Sequence, residues 1–492
     1  MKKVSVIGSG FSGLAAATVL AGEGFDVTVL EKNATAGGRA RKFEVHGFVF
    51  DMGPSWYWMP DVFEKYFNHF GKSTRDYYDL VRLDPSYRVW FGKNDLADVP
   101  SGIEGLCKLF DSLEAGSSRY LLRFLEEGKY KYETGINRLV YKPGLSLLEL
   151  ADAALLKGMF RLHVFQSMAT YIRKFFREPR LIRLLEFPVL FLGATPERTP
   201  ALYSLMNYAD MALGTWYPMG GMYKIVEAMV QLANAQGVNF QLNNTVQRME
   251  MNGSLATGVW SNDRRYNADY IVASADYHHV EQNLVPEKFR SYPEAYWQRR
   301  VMAPSALVFY LGVSKRVNNL RHHNLFFDED FSAHAREIYE TPQWPTAPQF
   351  YVCCPSKTDA TVAPEGCENL FILIPVAPGL KDDEAQREKY FNMVMQRLEH
   401  LLGENISKHI VFKRSYAHQD FITDYHAFRG NAYGLANTLG QTAHLKPAIV
   451  SRKIKNLFYT GQLTVPGPGV PPSLISGQVV ARELVRRHRV RN

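Results

Sequence analysis

The first thirty residues alternate between short apolar runs and a helical pattern of small residues. Residues 3–7 and 27–30 are apolar and rich in β-branched side chains, and each run is typical of a buried strand. Between them, residues 14–20 are mostly alanine, leucine and valine, and Gly24 follows as a helix terminator. The pattern predicts a strand, a turn, a helix and a second strand, which together make a βαβ unit.

The turn of this unit, residues 8–13, has the spacing GxGxxG. Gly8 permits a tight turn, Gly10 lets the backbone approach a pyrophosphate without a Cβ in the way, and Gly13 lets the helix pack closely on the strand. The helix N-terminus offers free N–H groups and a positive dipole to phosphates. The turn therefore indicates a dinucleotide site.

An acidic residue and a second glycine turn follow the second strand. Glu31 lies 18 residues beyond Gly13, near the spacing of about 20 at which a carboxylate binds ribose hydroxyls. Residues 36–41 then place two more glycines beside Arg39, whose guanidinium suits a diphosphate. An NAD-binding domain would ordinarily continue into another βαβ crossover, whereas this chain returns to the dinucleotide. We therefore predict FAD.

A loop rich in proline and glycine lies near the other end of the chain. An apolar run at residues 456–461 ends in glycine, residues 462–473 contain four prolines and two glycines, and a helix is predicted from Leu474 to about Arg487. A rigid loop before a helix N-terminus suits the pyrimidine end of a flavin, because the dipole stabilises negative charge that develops at N1 on reduction. The alternative is a structural turn that merely precedes the last helix.

The composition is that of a folded globular chain. The 492 residues are 46% hydrophobic and 22% charged with a net charge of +8, which excludes a disordered, collagen-like or small disulfide-rich protein. The four cysteines form no CxxC pair, so we expect reduced thiols and no metal site. No apolar run approaches the roughly 20 residues of a membrane-spanning helix, and no signal peptide is recognisable. We therefore expect two intermixed domains in a cytoplasmic protein.

Taken together, these motifs resemble those of the amine-oxidase-like flavoproteins, and among them the bacterial-type carotenoid (phytoene) desaturases. Residues 8–13, Glu31, residues 37–39, residues 50–55 and the C-terminal Pro-Gly-x-Gly-Val-Pro string carry the resemblance. It implies an α/β fold with a Rossmann-like FAD-binding domain of the amine-oxidase/GDI type. A discontinuous substrate domain would combine an antiparallel sheet with a helical, membrane-facing lobe.

The domains and site residues are assigned from the motifs and from this resemblance. The FAD-binding domain is predicted at 1–75, 215–300 and 415–492, and the substrate domain at 76–214 and 301–414. The resemblance implies that Val246 contacts adenine through its backbone. The predicted FAD-binding residues are Gly8, Ser9, Gly10, Phe11, Ser12, Gly13, Glu31, Lys32, Gly38, Arg39, Gly53, Pro54, Ser55, Val246, Gly461, Gln462, Val470 and Pro471.

Aromatic residues near the predicted flavin are candidates for a substrate channel. The residues expected to line it are Trp56, Tyr57, Tyr217 and Met219. The alternative for all four is an ordinary aromatic core.

A basic and aromatic stretch at residues 155–186 is expected to lie on a membrane surface. It holds seven lysines and arginines against two glutamates, and apolar and aromatic residues are interleaved with them. On helices this pattern gives a basic face and an apolar face, as in proteins that bind anionic headgroups at the inner face of the cell membrane. The alternative is an amphipathic core helix with solvated arginines. No nucleic-acid-binding motif accompanies the stretch, so we expect no nucleic-acid partner.

The resemblance implies desaturation of a carotenoid taken from lipid, with hydride transfer from an allylic C–H to flavin N5 and loss of a proton from the neighbouring carbon. Phytoene desaturation toward lycopene is the first expectation. The alternatives are a later-acting desaturase of a hydroxylated or cyclised carotenoid (3,4-desaturation), and a carotenoid isomerase or retinoid saturase. An amine oxidase or a non-catalytic isoprenoid carrier is disfavoured, because the C-terminal motif lacks a cysteine and the glycine turn is intact.

The sequence does not identify the catalytic residues. Asp51, Glu133, Asp420 and His426 are candidate proton acceptors, and their spacing selects none of them. Oxygen or a quinone is the expected electron acceptor that reoxidises the flavin.

Overall fold

The computed structural model describes residues 1–146, 162–163, 165–190 and 193–491. Its strands are β1 Lys3–Ile7, β2 Asp26–Leu30, β3 Lys42–Val45, β4 Phe48–Asp51, β5 Leu80–Arg82, β6 Tyr87–Gly92, β7 Asp95–Val99, β8 Trp216–Pro218, β9 Asn239–Gln241, β10 Val246–Asn252, β11 Leu255–Ser261, β12 Arg264–Asn267, β13 Tyr270–Ala273, β14 Ser305–Val313, β15 His323–Phe326, β16 Phe350–Cys353, β17 Glu368–Val376, β18 Ile410–Tyr416 and β19 Leu457–Tyr459. Its α-helices are α1 Phe11–Gly22, α2 Pro60–Asn68, α3 Ile103–Leu113, α4 Ser118–Thr134, α5 Met168–Ile172, α6 Pro179–Leu190, α7 Leu205–Met211, α8 Tyr223–Ala235, α9 Tyr277–His279, α10 Glu294–Gln298, α11 Phe331–Tyr339, α12 Glu384–Leu402, α13 His418–Tyr425 and α14 Val470–Arg491.

A five-stranded parallel sheet forms one half of the molecule, in the order β19-β13-β1-β2-β9. Its middle strand β1 is buried from Val4 to Ile7, as expected of a parallel strand that is covered on both faces. The predicted βαβ unit is present, because β1 leads through α1 into β2 and pairs with it in parallel. Residues 11–20 of α1 are buried all round, which explains why that helix consists of small and apolar residues.

The last helix of the chain packs against the first. A methyl group built on Gly477 of α14 would overlap the carbonyl oxygen of Ser12 in α1, so the two helix backbones are in close contact at this glycine. The helix begins at Val470 and not at the predicted Leu474. Pro471 and Pro472 lie in its first turn. Proline is tolerated there because backbone N–H groups in the first turn of a helix have no intrahelical partner, so proline loses no hydrogen bond.

A seven-stranded mixed sheet forms the other half, in the order β18-β14-β17-β16-β15-β6-β7. Adjacent strands run antiparallel except for the β15–β6 pair. All nine residues of β14 are buried, and they alternate between two cores. Phe309 faces α12 on one side, and Tyr310 faces Phe50 on the other. This second face belongs to the core that β4 and the helices α4, α5 and α6 share.

The basic and aromatic stretch at residues 155–186 lies only partly within the described residues, and Lys157, Phe160 and Arg161 fall outside them. The described apolar residues of α5 and α6 are buried in the protein core, as the core-helix alternative expects. Phe165 differs, because it is 79% exposed. Among the described residues, no helix combines the length and apolarity that crossing a bilayer requires.

We predict that Gly477→Ala destabilises the protein. Alanine would stabilise a free helix by about 1 kcal/mol relative to glycine, but the new methyl group would overlap Ser12, and overpacking of this kind costs about 1–3 kcal/mol. The thermal unfolding temperature should therefore fall. Gly440→Ala is the control, because no heavy atom lies within 4 Å of its new methyl group. Equal unfolding temperatures for both variants would contradict close packing of α1 on α14.

Candidate active site

The glycine turn between β1 and α1 leaves an open cradle at the helix N-terminus. Gly8 has φ +96°, a conformation that favours glycine, and its N–H donates to the carbonyl of Leu30 at 2.8 Å. Gly10 caps α1, and no heavy atom lies within 4 Å of where its Cβ would stand. The first N–H groups of α1 therefore face a space that an anion can enter.

The second glycine turn lies directly beside this cradle. Gly37 N–H donates to the carbonyl of Ser9 at 2.9 Å, and a methyl group on Gly38 would stand 3.3 Å from Gly10 Cα. A methyl group on Gly53 would overlap the carbonyl oxygen of Arg39, which brings residues 53–55 against the same turn. The sequence separates these segments by up to forty residues, and the structure brings them together.

Glu31 fixes the shape of the cradle. Its Oε2 accepts hydrogen bonds from the backbone N–H and the hydroxyl of Ser9, at 2.9 and 2.7 Å. Its Oε1 accepts from the backbone N–H and the side-chain amide of Asn33, both at 2.9 Å. A ribose hydroxyl would therefore bind Glu31 by replacing the Ser9 hydroxyl or the Asn33 amide.

Arg39 is a half-buried cation with unused donors. Its Nη2 makes one long contact, 3.5 Å to the carbonyl of Asn431, and its Nε has no hydrogen-bond partner among the described residues. Burial lowers the pKa of Arg39, and Asp276 opposes that shift as a nearby negative charge. Such free donors beside Gly38 fit a diphosphate. Lys32 differs, because its Nζ already donates to the carbonyl of Thr423 at 2.6 Å.

The C-terminal loop closes over the glycine turn from the other end of the chain. A methyl group on Gly461 would stand 3.2 Å from Ser12 Oγ, and Gly461 N–H donates to Ser476 Oγ at 3.1 Å. Gln462 donates through Nε2 to Asn431 Oδ1 at 3.1 Å, so it shares a neighbour with Arg39. Val470 and Pro471 form the first turn of α14. Val246 opens β10 two residues after Asn244, whose N–H donates to the Glu31 carbonyl at 2.8 Å.

Of the expected channel residues, Trp56 and Tyr217 lie at a junction between the two halves. Trp56 stacks on His323 with ring centroids 4.1 Å apart. Tyr217 lines a small cavity together with Ser55. Tyr57 instead packs in the core beside the parallel sheet, and its hydroxyl bonds that of Tyr78 at 2.9 Å, as the aromatic-core alternative expects. The backbone N–H of Met219 donates to the carbonyl of Asp79 at 2.9 Å.

Only one of the four candidate proton acceptors lines that cavity. Asp51 is half-buried there, and the partial removal of its carboxyl group from water raises its pKa to about 6. Both of its oxygens accept backbone N–H groups at the start of α8, from Met222 at 2.7 Å and Tyr223 at 2.9 Å. Through these bonds Asp51 caps the N-terminus of α8 from a distant part of the same chain. We therefore assign Asp51 a structural role.

The other three candidates lie elsewhere. Glu133 is exposed on α4, and Asp420 forms an ion pair with Arg387 at 2.8 Å. His426 stacks on His279 with centroids 3.9 Å apart. None of them lines the cavity beside Ser55.

A polar cluster beside the cavity escaped the sequence analysis, since its members have no recognisable spacing. His322, His323 and Cys353 are buried, with one ring nitrogen of each histidine and the thiol within 4.8 Å of one another. Thr358 Oγ1 bonds His322 Nδ1 at 2.8 Å, and burial lowers the pKa of His322 to about 3. The imidazole is therefore neutral at physiological pH.

A second feature missed by sequence is Lys446. It is 4% exposed, and its Nζ has no hydrogen-bond partner in the described part of the chain. A lone lysine before a proline carries no signal in the sequence, because only the folded chain reveals its burial.

We predict that Gly10→Val yields a folded protein that does not retain FAD. The valine side chain would start in the open space at the beginning of α1, where the pyrophosphate is expected, because no heavy atom lies within 4 Å of the new Cβ. The ratio of flavin absorbance to protein absorbance after purification measures retention, and circular dichroism checks folding. Gly102→Ala is the control, because Gly102 precedes α3, away from the cradle, and no heavy atom lies within 4 Å of its new methyl group. A folded, fully flavinated Gly10→Val protein would contradict the assigned phosphate turn.

Comparison with known proteins agrees with this geometry. The model of the flavin-containing amine oxidoreductase family matches residues 11–485. The chain is 40% identical to a carotenoid 3,4-desaturase of Haloarcula japonica over 98% of each chain. It is 33% identical to a zeta-carotene-forming phytoene desaturase of Myxococcus xanthus, covering 98% of this chain and 94% of that one.

A solved oxidoreductase structure from Methanosarcina mazei shares the fold, with a TM-score of 0.64 and 17% identity over 98% of this chain and all of that one. The predicted fold class, cofactor and enzyme class are confirmed. The chain belongs to the flavin-containing amine oxidoreductase family, as an FAD-dependent oxidoreductase of the same kind as the bacterial carotenoid desaturases.

Proposed function

We propose that the protein introduces a double bond into a membrane-dissolved carotenoid. The observation that carries the proposal is the end-to-end similarity to enzymes named as carotenoid desaturases, over 98% of this chain. Bound FAD would supply the hydride acceptor for an allylic C–H of the substrate, and the neighbouring carbon would lose a proton. The protein's part is to hold the cofactor, align the substrate and exclude water.

The arrangement of the proposed cofactor site supports these roles of the protein and the cofactor. The N-terminus of α1 and the free donors of Arg39 would bind the diphosphate, while Glu31 holds the turn in shape. The loop at residues 461–471 would hold the isoalloxazine ring against the start of α14. We accordingly assign residues 1–75, 215–300 and 415–492 to the FAD-binding domain, and residues 76–214 and 301–414 to the substrate domain.

Two substrates are candidates. Phytoene is the first, and the similarity to a phytoene desaturase supports it. A later carotenoid that undergoes 3,4-desaturation is the second, and the 40% identity to a carotenoid 3,4-desaturase favours it.

We predict that expression of the protein lengthens the conjugated chain of a carotenoid in cells that supply it. Two strains are compared by pigment chromatography, one that accumulates phytoene and one that accumulates a hydroxylated carotenoid. Products that absorb at longer wavelength should form in at least one strain, and the strain that responds identifies the substrate. The flavin-free Gly10→Val variant is the control. Unchanged pigments in both strains would contradict carotenoid desaturation.

We also propose that a surface on α4 and residues 165–177 rests on the membrane that holds the substrate. Phe165 is exposed there, and its neighbour Gln166 accepts a hydrogen bond from Lys174 at 3.0 Å. Arg123 of α4 lies 5.8 Å from the ring centroid of Phe175. An exposed aromatic ring among cations suits an anionic headgroup layer. The proposed location is the inner face of the cell membrane, with oxygen or a membrane quinone as the final electron acceptor.

We predict that Phe165→Ser weakens binding to vesicles rich in phosphatidylglycerol. Full burial of a phenylalanine side chain contributes about 1.5–3 kcal/mol, so the fraction bound in a co-sedimentation assay should indicate a roughly tenfold weaker affinity. Val411→Ser is the matched control, because Val411 is 56% exposed on β18, an edge strand of the seven-stranded sheet. If the two variants bind equally, this surface is not the membrane contact.

A further inference from the structure

Lys446 is a buried cation that the proposed reaction leaves unused. Its Nζ is enclosed and has no hydrogen-bond partner among the described residues. Lys131 is also buried, yet it donates to the carbonyl of Ala201 at 3.1 Å and to Ser204 Oγ at 2.9 Å. An ammonium group removed from water without a partner costs several kcal/mol. The expected partner of Lys446 is therefore a group that the described residues do not supply.

The ammonium group lies against the C-terminal loop. A methyl group on Gly467 would stand 3.3 Å from Lys446 Nζ and 3.0 Å from Asn437 Oδ1. The Asn437 oxygen also lacks a hydrogen-bond partner in the described part of the chain. Thr464 Oγ1 donates to the carbonyl of Pro447 at 2.5 Å, which fixes the lysine segment to the loop. Two unsatisfied polar groups thus meet on one side of Gly467.

This loop joins two parts of the proposed flavin site. Gly461, at its start, contacts Ser12 in the phosphate turn, and Val470, at its end, begins α14. The diphosphate already has Arg39 and the N-terminus of α1 as partners in the proposed site. Gly467 lies in the middle of the loop, nearer in sequence to α14, where the pyrimidine end of the flavin is expected.

We propose that Lys446 supplies the positive charge that stabilises the anionic reduced flavin. The inference rests on the proposed function, because it requires FAD in the site described above. Asn437 would accept a hydrogen bond from the same part of the ring system or from the ammonium group itself. Lys446 is then a residue that contacts the cofactor and sets its reduction potential.

The proposed step forms no covalent bond to Lys446. The hydride brings two electrons and one hydrogen to flavin N5, so reduction adds one negative charge, which is shared between N1 and the C2 carbonyl. The substrate gains its double bond and releases one proton to solvent. The ammonium group stays protonated and pairs with the new charge. Burial lowers the pKa of Lys446 to about 7, and an adjacent anion would favour the charged form again.

The test is the reduction potential of the bound flavin in the holoenzyme, measured by dye-coupled titration. In Lys446→Met we expect the preference for reduced over oxidised FAD to fall at least tenfold, which is about 30 mV for a two-electron couple. Lys446→Arg keeps the charge and should retain most of the potential. Lys131→Met removes a lysine of equal burial on α4 and should leave the potential unchanged. Lys446→Gln serves as a second neutral variant if Lys446→Met does not fold.

The outcomes separate this inference from the proposed function. A wild-type protein that binds no FAD would overturn the proposed function itself. A Lys446→Met protein that keeps FAD at the wild-type potential would overturn the inference alone. If the variant loses affinity equally for oxidised and reduced FAD, the lysine binds the diphosphate and the assignment to the reduced ring is wrong. A lowered potential with near-normal affinity for oxidised FAD supports the inference.

Discussion

The contact between the first and last helices of the chain is the constraint on which the site depends. Gly477 of α14 packs on the backbone of Ser12, and Gly461 lies against the same residue's hydroxyl. This packing brings the C-terminal loop over the bare N-terminus of α1. A dinucleotide that reaches from the phosphate turn to the start of α14 would therefore touch both ends of a 492-residue chain. The intervening residues supply the other four strands of the parallel sheet, the seven-stranded sheet and the helices around it.

The polar groups around this contact fall into two kinds. The groups that shape the cradle have hydrogen-bond partners within the protein. The carboxylate of Glu31, for example, accepts four hydrogen bonds from Ser9 and Asn33. Nε of Arg39 and Nζ of Lys446 have no hydrogen-bond partner within the described ranges of the chain. Unsatisfied buried groups destabilise a fold unless a ligand pairs with them. Arg39 and Gln462, at the start of the loop, both contact Asn431, whereas Lys446 lies beside Gly467 in the middle of the loop.

Sequence predicted those parts of the site that depend on local backbone chemistry. The GxGxxG turn, Glu31 and the proline-rich loop all carry a local signal, because a tight turn, a strand end and a helix start each need particular residues. Tertiary burial carries no such signal, so Lys446 and the cluster around His323 were missed. The same limit affected the basic stretch: the apolar residues of α5 and α6 pack inward, and sequence periodicity alone cannot distinguish a protein core from a lipid surface.

We propose that the two ends of the chain hold one FAD between them. Hydrogen–deuterium exchange of the full chain, with and without bound FAD, tests this arrangement because the method reads each segment separately. We expect FAD to slow amide exchange in residues 8–13 and in residues 461–471 together, while β14 is unaffected. Protection of the glycine turn with unchanged exchange in the C-terminal loop would contradict it.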